Sequence, residues 1–190
     1  MLVVGGGPAG LECALALGQR GYRVILAEAS QELGGRVSRE SRLPGLAEWG
    51  RVRDYRVLML ERLANVTIYR ENPLSPDEIF EFSAEDQFDY SHVMLANGSS
   101  WRRNGLGRIH RNPIPGLDKL KVFTPDDIMD GVLVKGRVVV FDDDHFYMGG
   151  VLAEKLKREG HDVLLVTPAP DISIRTHKTC LLYTSDAADD

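Results

Sequence analysis

Three glycines near the start of the chain have the spacing of a phosphate-binding loop. Gly5, Gly7 and Gly10 fit the pattern G-x-G-x-x-G, and Pro8 and Ala9 lie between the last two of them. In such a loop the first glycine allows a tight turn, the second lets a pyrophosphate approach the backbone, and the third lets helix and strand pack closely. Free N–H groups at the start of the following helix would bind the phosphates. We therefore predict that these five residues bind a dinucleotide or ADP.

The elements that must position such a loop occur in order around it. Residues 2–4 are short and apolar, which indicates a buried strand, and residues 11–19 carry an apolar stripe at helical spacing. Residues 22–27 predict a second buried strand, which Glu28 closes. Glu28 follows the second glycine by 21 positions, near the spacing of an acid that binds ribose hydroxyls. Its carboxylate would repel a 2′-phosphate, so the sequence favours an unphosphorylated adenosine.

A second glycine doublet follows this acid closely. The backbone of Gly34 and Gly35 can pass beside a dinucleotide, and Arg36 could reach a phosphate. A solvated arginine in a loop is the alternative for Arg36. We add Gly35 and Arg36 to the predicted cofactor-binding residues.

The chain continues with elements that complete a first α/β domain. We predict a helix over residues 47–64, a strand over 66–69, a helix that starts with Ser75 as its N-cap, and a strand over 90–96. The apolar stripe of the helix over residues 47–64 is predicted to lie in the core and consists of Trp49, Val52, Tyr55, Leu58, Met59 and Leu63.

A second strand–turn–helix–strand unit imitates the first. Its predicted elements are a strand over residues 137–141, a helix over 151–159 and a strand over 163–166. The turn, residues 142–150 (DDDHFYMGG), lacks the glycine spacing, and its three carboxylates would repel a pyrophosphate. This unit is expected to have the shape of a nicotinamide-binding domain without its usual phosphate chemistry. His145 beside the acids could bind a metal, but a solvated acidic turn is the preferred interpretation.

The last residues and the charge limit the partners that can be expected. Residues 180–190 (CLLYTSDAADD) resemble a translated adapter from DNA library preparation, and we treat them as a non-native tail. Without their three aspartates the formal net charge changes from −5 to −2, which gives no indication of a nucleic-acid partner. Cys13 is then the one remaining cysteine, expected as a small core residue, and this suits a cytoplasmic protein. No apolar run is long enough to span a membrane, so no membrane partner is expected.

These patterns predict an α/β fold with two Rossmann-like βαβ dinucleotide-binding domains of the FAD/NAD(P)-binding type. The first domain is predicted over residues 1–112 and the second over residues 113–179. Both are expected to be incomplete, because the first domain should be completed by chain that returns after the second. A strand that begins at the first residue also suggests that the natural protein starts upstream.

Several further segments resemble one enzyme family. Residues 1–179 resemble the C-terminal half of the trimethylamine, dimethylamine and histamine dehydrogenases, and N-methylproline demethylases and 2,4-dienoyl-CoA reductases are similar in layout. The resemblance is carried by residues 43–49 (LPGLAEW), 53–56 (RDYR), 113–116 (PIPG), 129–131 (MDG) and 152–156 (LAEKL).

This resemblance implies cofactors and partners for the whole protein. It implies an N-terminal TIM barrel, outside this chain, in which FMN oxidises a small amine substrate. A 4Fe-4S cluster in the barrel would pass the electrons to an electron-transfer flavoprotein. The glycine-rich domain would hold ADP, as in the amine dehydrogenases, or FAD, as in the dienoyl-CoA reductases. A homodimer is compatible with the resemblance.

The residues and the resemblance lead to two hypotheses about function from different classes, and a third is weaker. The first is a part of an amine-oxidising flavoenzyme with a structural ADP site. The second is an NAD(P)H-dependent flavin reductase of the 2,4-dienoyl-CoA reductase type, and the third is a non-enzymatic nucleotide-binding module. The acidic turn favours the first. The chain has no Cys-x-x-Cys motif, and we predict no catalytic residue and no metal ligand in it.

Overall fold

The chain forms two compact units. The computed structural model describes residues 1–84 and 92–176, and the predicted tail lies outside these ranges. The first unit consists of Met1–Ser41 and Glu48–Ser99, and the second consists of Arg42–Ala47 and the chain from Ser100 onward. Each unit combines a parallel sheet with helices, so the predicted α/β, Rossmann-like fold class is confirmed.

In the described residues, the sheet of the first unit has four parallel strands. They are β1 (Leu2–Val4), β2 (Val24–Ala27), β3 (Val66–Tyr69) and β4 (Val93–Leu95). Their order is β3-β2-β1-β4, so the chain's first strand lies in the interior, where β1 pairs with both β2 and β4. Strand β3 has the predicted bounds, whereas β2 begins two residues later than predicted. The start of the predicted strand over residues 90–96 lies partly outside the described residues.

The described part of this unit contains four α-helices, and a short 3₁₀ helix, Ala47–Trp49, precedes the third. They are α1 (Pro8–Gln19), α2 (Arg36–Glu40), α3 (Gly50–Glu61) and α4 (Pro76–Ala84). The N-cap prediction for α4 is confirmed, because the Ser75 N–H donates to Glu78 Oε2 at 2.7 Å and the Glu78 N–H donates to Ser75 Oγ at 3.3 Å. These bonds lower the pKa of Glu78.

The core of the first unit joins α1 to the sheet. Its buried residues are Val3, Leu11, Ala14, Leu15, Val24, Leu26, Leu33 and Leu60. Cys13 packs against this cluster from its partly buried position, as expected for a small core residue. Burial raises the pKa of its thiol, which disfavours the reactive thiolate.

The predicted core stripe of α3 is wrong at three positions. Val52, Tyr55 and Leu58 are 38%, 57% and 49% exposed, whereas Leu60 is 1% exposed. The inner side of the helix also carries two arginines, Arg53 and Arg56, whose side chains are only 25% exposed and form ion pairs with acids of the same unit. Apolar periodicity could not identify this face, because paired charges occupy part of it.

Up to residue 176, the second unit contains two parallel strands. Its elements are a 3₁₀ helix (Leu117–Lys119), α5 (Pro125–Met129), β5 (Val138–Phe141), α6 (Tyr147–Arg158) and β6 (Val163–Val166). Strand β6 has the predicted bounds, and α6 begins four residues before the predicted start. Thr124 caps α5 through a reciprocal pair of bonds with Asp127. The Arg103 guanidinium, with the Thr124 N–H, holds the pKa of Asp127 well below its usual range.

Residues 100–112 lie in the second unit, although the sequence pattern predicted them in the first domain. A side chain of the second unit holds this segment. The Asp143 carboxylate accepts the N–H of Ile109 at 2.7 Å and the N–H of His110 at 2.9 Å. The sequence pattern does not reveal this bond, because its partners are more than 30 residues apart. None of the helices in the described part of the chain has the length and apolar character that a membrane span requires.

Candidate nucleotide-binding site

Two of the three loop glycines are required by packing inside the fold. Gly5 follows β1 at φ +104°, and a β-carbon on it would lie 2.8 Å from the carbonyl carbon of Ala96, just after β4. A β-carbon on Gly10 would overlap the carbonyl oxygen of Gly5. Gly5 thus makes the tight turn and Gly10 the close helix–strand contact that the pattern predicts.

Gly7 differs from the other two, because packing inside the fold does not require it to be glycine. It is the N-cap residue of α1, with φ −71° and ψ −178°, and Pro8 is the first residue of the helix. Apart from Gly7 itself and its neighbours Gly6 and Pro8, no heavy atom of residues 1–84 or 92–176 lies within 4 Å of a β-carbon built on Gly7. The space before the helix start is therefore open. The first-turn amides of Ala9 and Gly10 have no partner within the helix, as in any helix start, and this arrangement suits a pyrophosphate.

Glu28 lies beside the glycine loop and is held by both carboxylate oxygens. Its Oε2 accepts the Gly6 N–H at 2.5 Å, and its Oε1 accepts the N–H and the hydroxyl of Ser30 at 2.8 and 2.7 Å. A carboxylate offers about four acceptor positions, so these three bonds leave room for a ribose hydroxyl at Oε2. The predicted contact of Glu28 with a ribose stays a prediction. Sequence reasoning missed Gly6 and Ser30 as its partners, since Ser30 carried no motif.

The second glycine doublet lies directly against the first loop. The Gly34 N–H donates to the Gly6 carbonyl at 2.8 Å. Gly35 has φ +53°, and a β-carbon on it would lie 3.2 Å from Gly7 Cα. The doublet therefore forms the neighbouring wall of the space before Gly7.

Arg36 begins α2 and turns to the loop that follows β4. Its guanidinium Nη2 donates to the Ser99 carbonyl at 2.7 Å. Its predicted contact with a phosphate stays a prediction. The structure thus brings Gly5, Gly7, Gly10, Glu28 and Gly35 together, with Pro8, Ala9 and Arg36 at the starts of the two adjoining helices.

The turn of the second unit is not the solvated acidic turn that we expected. Asp142, Asp143 and His145 are only 5%, 6% and 4% exposed. Asp142 Oδ1 accepts the N–H groups of Asp144 and His145 at 3.2 and 3.1 Å. The carboxylates can be buried because they accept backbone hydrogen bonds, which offset the cost of removing them from water.

Asp142 also lies against the start of α6. A β-carbon on Gly149, in the first turn of that helix, would lie 2.6 Å from the Asp142 carboxylate carbon. The carboxylate therefore stands beside the first turn of α6. A buried negative charge at this position opposes the approach of a pyrophosphate to the helix start.

The second turn carries no cluster of metal ligands. Within the described ranges, no group of three or more His, Cys, Asp or Glu side chains is placed to hold a metal ion. Asp142 Oδ2 and His145 Nε2 are buried, and neither has a hydrogen-bond partner among the described residues.

The fold is that of the Rossmann-like class. Comparison with known proteins agrees, because the NAD(P)-binding Rossmann-like domain family matches residues 3–60. Dimethylamine dehydrogenase from Hyphomicrobium sp. (strain x) is 38% identical over 175 residues, which are 88% of this chain and 23% of that protein.

Two solved structures are similar over nearly the whole chain. They are 6-hydroxypseudooxynicotine amine oxidase from Pseudomonas geniculata N1 (TM-score 0.88, 47% identity) and histamine dehydrogenase from Rhizobium sp. 4-9 (TM-score 0.87, 44% identity). Each match covers 99% of this chain and 28% of the other chain.

These relatives confirm the predicted resemblance. The chain is a close homologue of one part of the dimethylamine and histamine dehydrogenases, which are oxidoreductases. It spans only 23% to 28% of the length of these three relatives.

Proposed function

We propose that this chain is the adenine-nucleotide-binding part of a flavin-dependent oxidoreductase that oxidises a methylated or other small amine. The observation that carries the proposal is the open space at Gly7, with the start of α1 on one side and Glu28 beside the loop. The similarity to enzymes named for dimethylamine, histamine and 6-hydroxypseudooxynicotine supports the substrate class.

The residues present fit ADP or the ADP half of FAD. The pyrophosphate would lie at Gly7 and the first-turn amides of α1, and the ribose would donate to Glu28. A bound adenine nucleotide would stabilise the unit and, if it is FAD, would add a redox-active flavin. Gly35 would form the wall of the phosphate space opposite the start of α1, and Arg36 would contribute positive charge near the phosphates.

The other cofactors and the partners are proposed for the whole protein. FMN and a 4Fe-4S cluster would be bound outside this chain, and no residue of the chain is assigned to them. Electrons would leave to an electron-transfer flavoprotein. The cytoplasmic location is supported by the single cysteine that precedes the predicted tail.

The nucleotide site is tested on the full-length protein with Glu28→Ala. The purified wild type is expected to release an adenine nucleotide on denaturation, which chromatography identifies as ADP or FAD. Loss of the charged hydrogen bonds should weaken nucleotide binding by about 1–3 kcal/mol in the variant.

Glu12→Ala provides the matched control for this test. Glu12 lies on α1 and pairs with Arg56 at 2.8 Å, away from the bonds that Glu28 makes. Its variant should retain wild-type nucleotide content. The proposal would be wrong if the wild type contained no nucleotide, or if the wild type and both variants contained equal amounts of it.

The whole enzyme is expected not to use NADH or NADPH as its electron partner. Such use would require a pyrophosphate at the turn between β5 and α6, where the buried Asp142 carboxylate stands beside the first turn of α6. The measurement is anaerobic stopped-flow mixing of the oxidised full-length enzyme with each nucleotide. Rapid bleaching of the flavin by either one would contradict this expectation and favour a reductase of the 2,4-dienoyl-CoA reductase type.

A further inference from the structure

Arg53 on α3 contacts both ends of the segment that carries the second glycine doublet. Its Nη1 donates to Glu32 Oε1 at 3.0 Å, before the doublet, and to Ser38 Oγ at 3.0 Å, after it. Its Nε donates to Asp54 Oδ1 at 2.7 Å, which fixes the guanidinium on its own helix. The side chain is 25% exposed.

The contact at Ser38 extends into the segment itself. Ser38 is 1% exposed, and its hydroxyl donates to the Leu33 carbonyl at 2.7 Å. The bond from Arg53 therefore reaches a buried hydroxyl that is already tied to the residue before the doublet. Because the Ser38 hydroxyl is shielded from water, losing the bond from Arg53 should cost more stability than losing a surface ion pair.

The aliphatic stem of Arg53 lies directly against Gly34. A β-carbon on Gly34 would lie 2.8 Å from Arg53 Cδ, and Gly34 has φ +99°. On its other side, the Gly34 N–H donates to the Gly6 carbonyl at 2.8 Å. The doublet is thus held between the arginine and the glycine loop, with Gly35 against Gly7.

We propose that Arg53 is a positioning residue for the nucleotide site. By holding Gly34 and Gly35 against the first glycine loop, it sets the width of the space in which the pyrophosphate binds at Gly7. The planar guanidinium bonds Glu32, Ser38 and Asp54 at once, which the single ammonium group of lysine cannot reproduce in the same geometry. The inference rests on the proposed nucleotide site.

The test uses Arg53→Ala and Arg53→Lys in the full-length protein, with Arg56→Ala as the matched control. Arg56 lies on the same helix and is also 25% exposed, but it pairs with Glu12 at 2.8 Å and donates to the Val52 carbonyl, away from residues 32–38. After removal of bound nucleotide, calorimetric titration with ADP and with AMP gives the two affinities, and the melting temperature of the nucleotide-free protein reports on folding.

We expect both Arg53 variants to bind ADP about tenfold more weakly, with a smaller change for AMP, because the pyrophosphate space is what widens. The Arg56 variant should bind both ligands as the wild type does, even if its melting temperature falls similarly. Wild-type ADP affinity in Arg53→Lys, or an equal loss in Arg56→Ala, would overturn the inference. If the wild type itself binds no ADP, the proposed function fails and this inference fails with it.

Discussion

A Gly7→Val variant is expected to purify without nucleotide while its fold stays intact. The backbone of Gly7, at φ −71° and ψ −178°, is in the extended region that a residue before proline prefers and that valine tolerates. The new side chain would project into open space, because no described atom beyond Gly7 and its two chain neighbours lies within 4 Å of the β-carbon. It displaces no described atom at that position, but it fills the volume in which the pyrophosphate would lie.

The expected loss of ADP affinity is on the order of a hundredfold or more, since the closest approach to the phosphates is blocked. The measurement is nucleotide content after purification, followed by titration of the stripped protein with ADP. The melting temperature of the stripped variant should stay within a few degrees of the stripped wild type, a shift that corresponds to less than about 1 kcal/mol.

Gly10→Val separates a packing role from a ligand role. A β-carbon on Gly10 would overlap the Gly5 carbonyl oxygen, so this substitution must displace α1 from the turn after β1. It is expected to lower both the melting temperature and the nucleotide content. Retained nucleotide in Gly7→Val, or equal unfolding of the two variants, would contradict the assignment of Gly7 to the phosphate site.

An Asp143→Ala variant is expected to lower the free energy of unfolding by about 3 kcal/mol, because it loses hydrogen bonds to a buried carboxylate. Asp143 is 6% exposed, and its carboxylate accepts the backbone N–H groups of Ile109 and His110. A β-carbon on Gly107 would also run into this carboxylate, so the segment before β5 is packed tightly on it. Alanine would leave both amides without their acceptor. Urea unfolding followed by circular dichroism measures the loss.

Asp144→Ala is the control for this second prediction. Asp144 has the same charge one position further on, but its side chain is 37% exposed and its ion pair with Arg108 spans 3.9 Å. Exposed pairs of this kind contribute about 0.5 kcal/mol. Similar losses in the two variants would show that the Asp143 carboxylate does not hold the segment around Ile109 and His110 in place.

The local features of the sequence determined much of the fold. The glycine spacing predicted the turn at Gly5 and the close packing at Gly10, because both depend on a missing side chain and not on a distant partner. The cap at Ser75 and the bounds of β3 and β6 were also predicted from nearby residues alone. The cap follows from turn chemistry, and the strand bounds follow from short apolar runs. Glu28 directly follows β2, as the short apolar run before it predicted, and its role at a ribose stays a prediction.

Only the tertiary structure decided which polar side chains are buried. Asp142 and Asp143 were expected in solvent, yet both are buried. Asp142 Oδ1 accepts two amides of the turn itself, and Asp143 accepts two amides that lie more than 30 positions away. The inner face of α3 was misassigned because Arg53 and Arg56 lie on it with their charges paired. A charged residue in a sequence predicts exposure by default, and what overrides that default is a partner whose position depends on the folded chain.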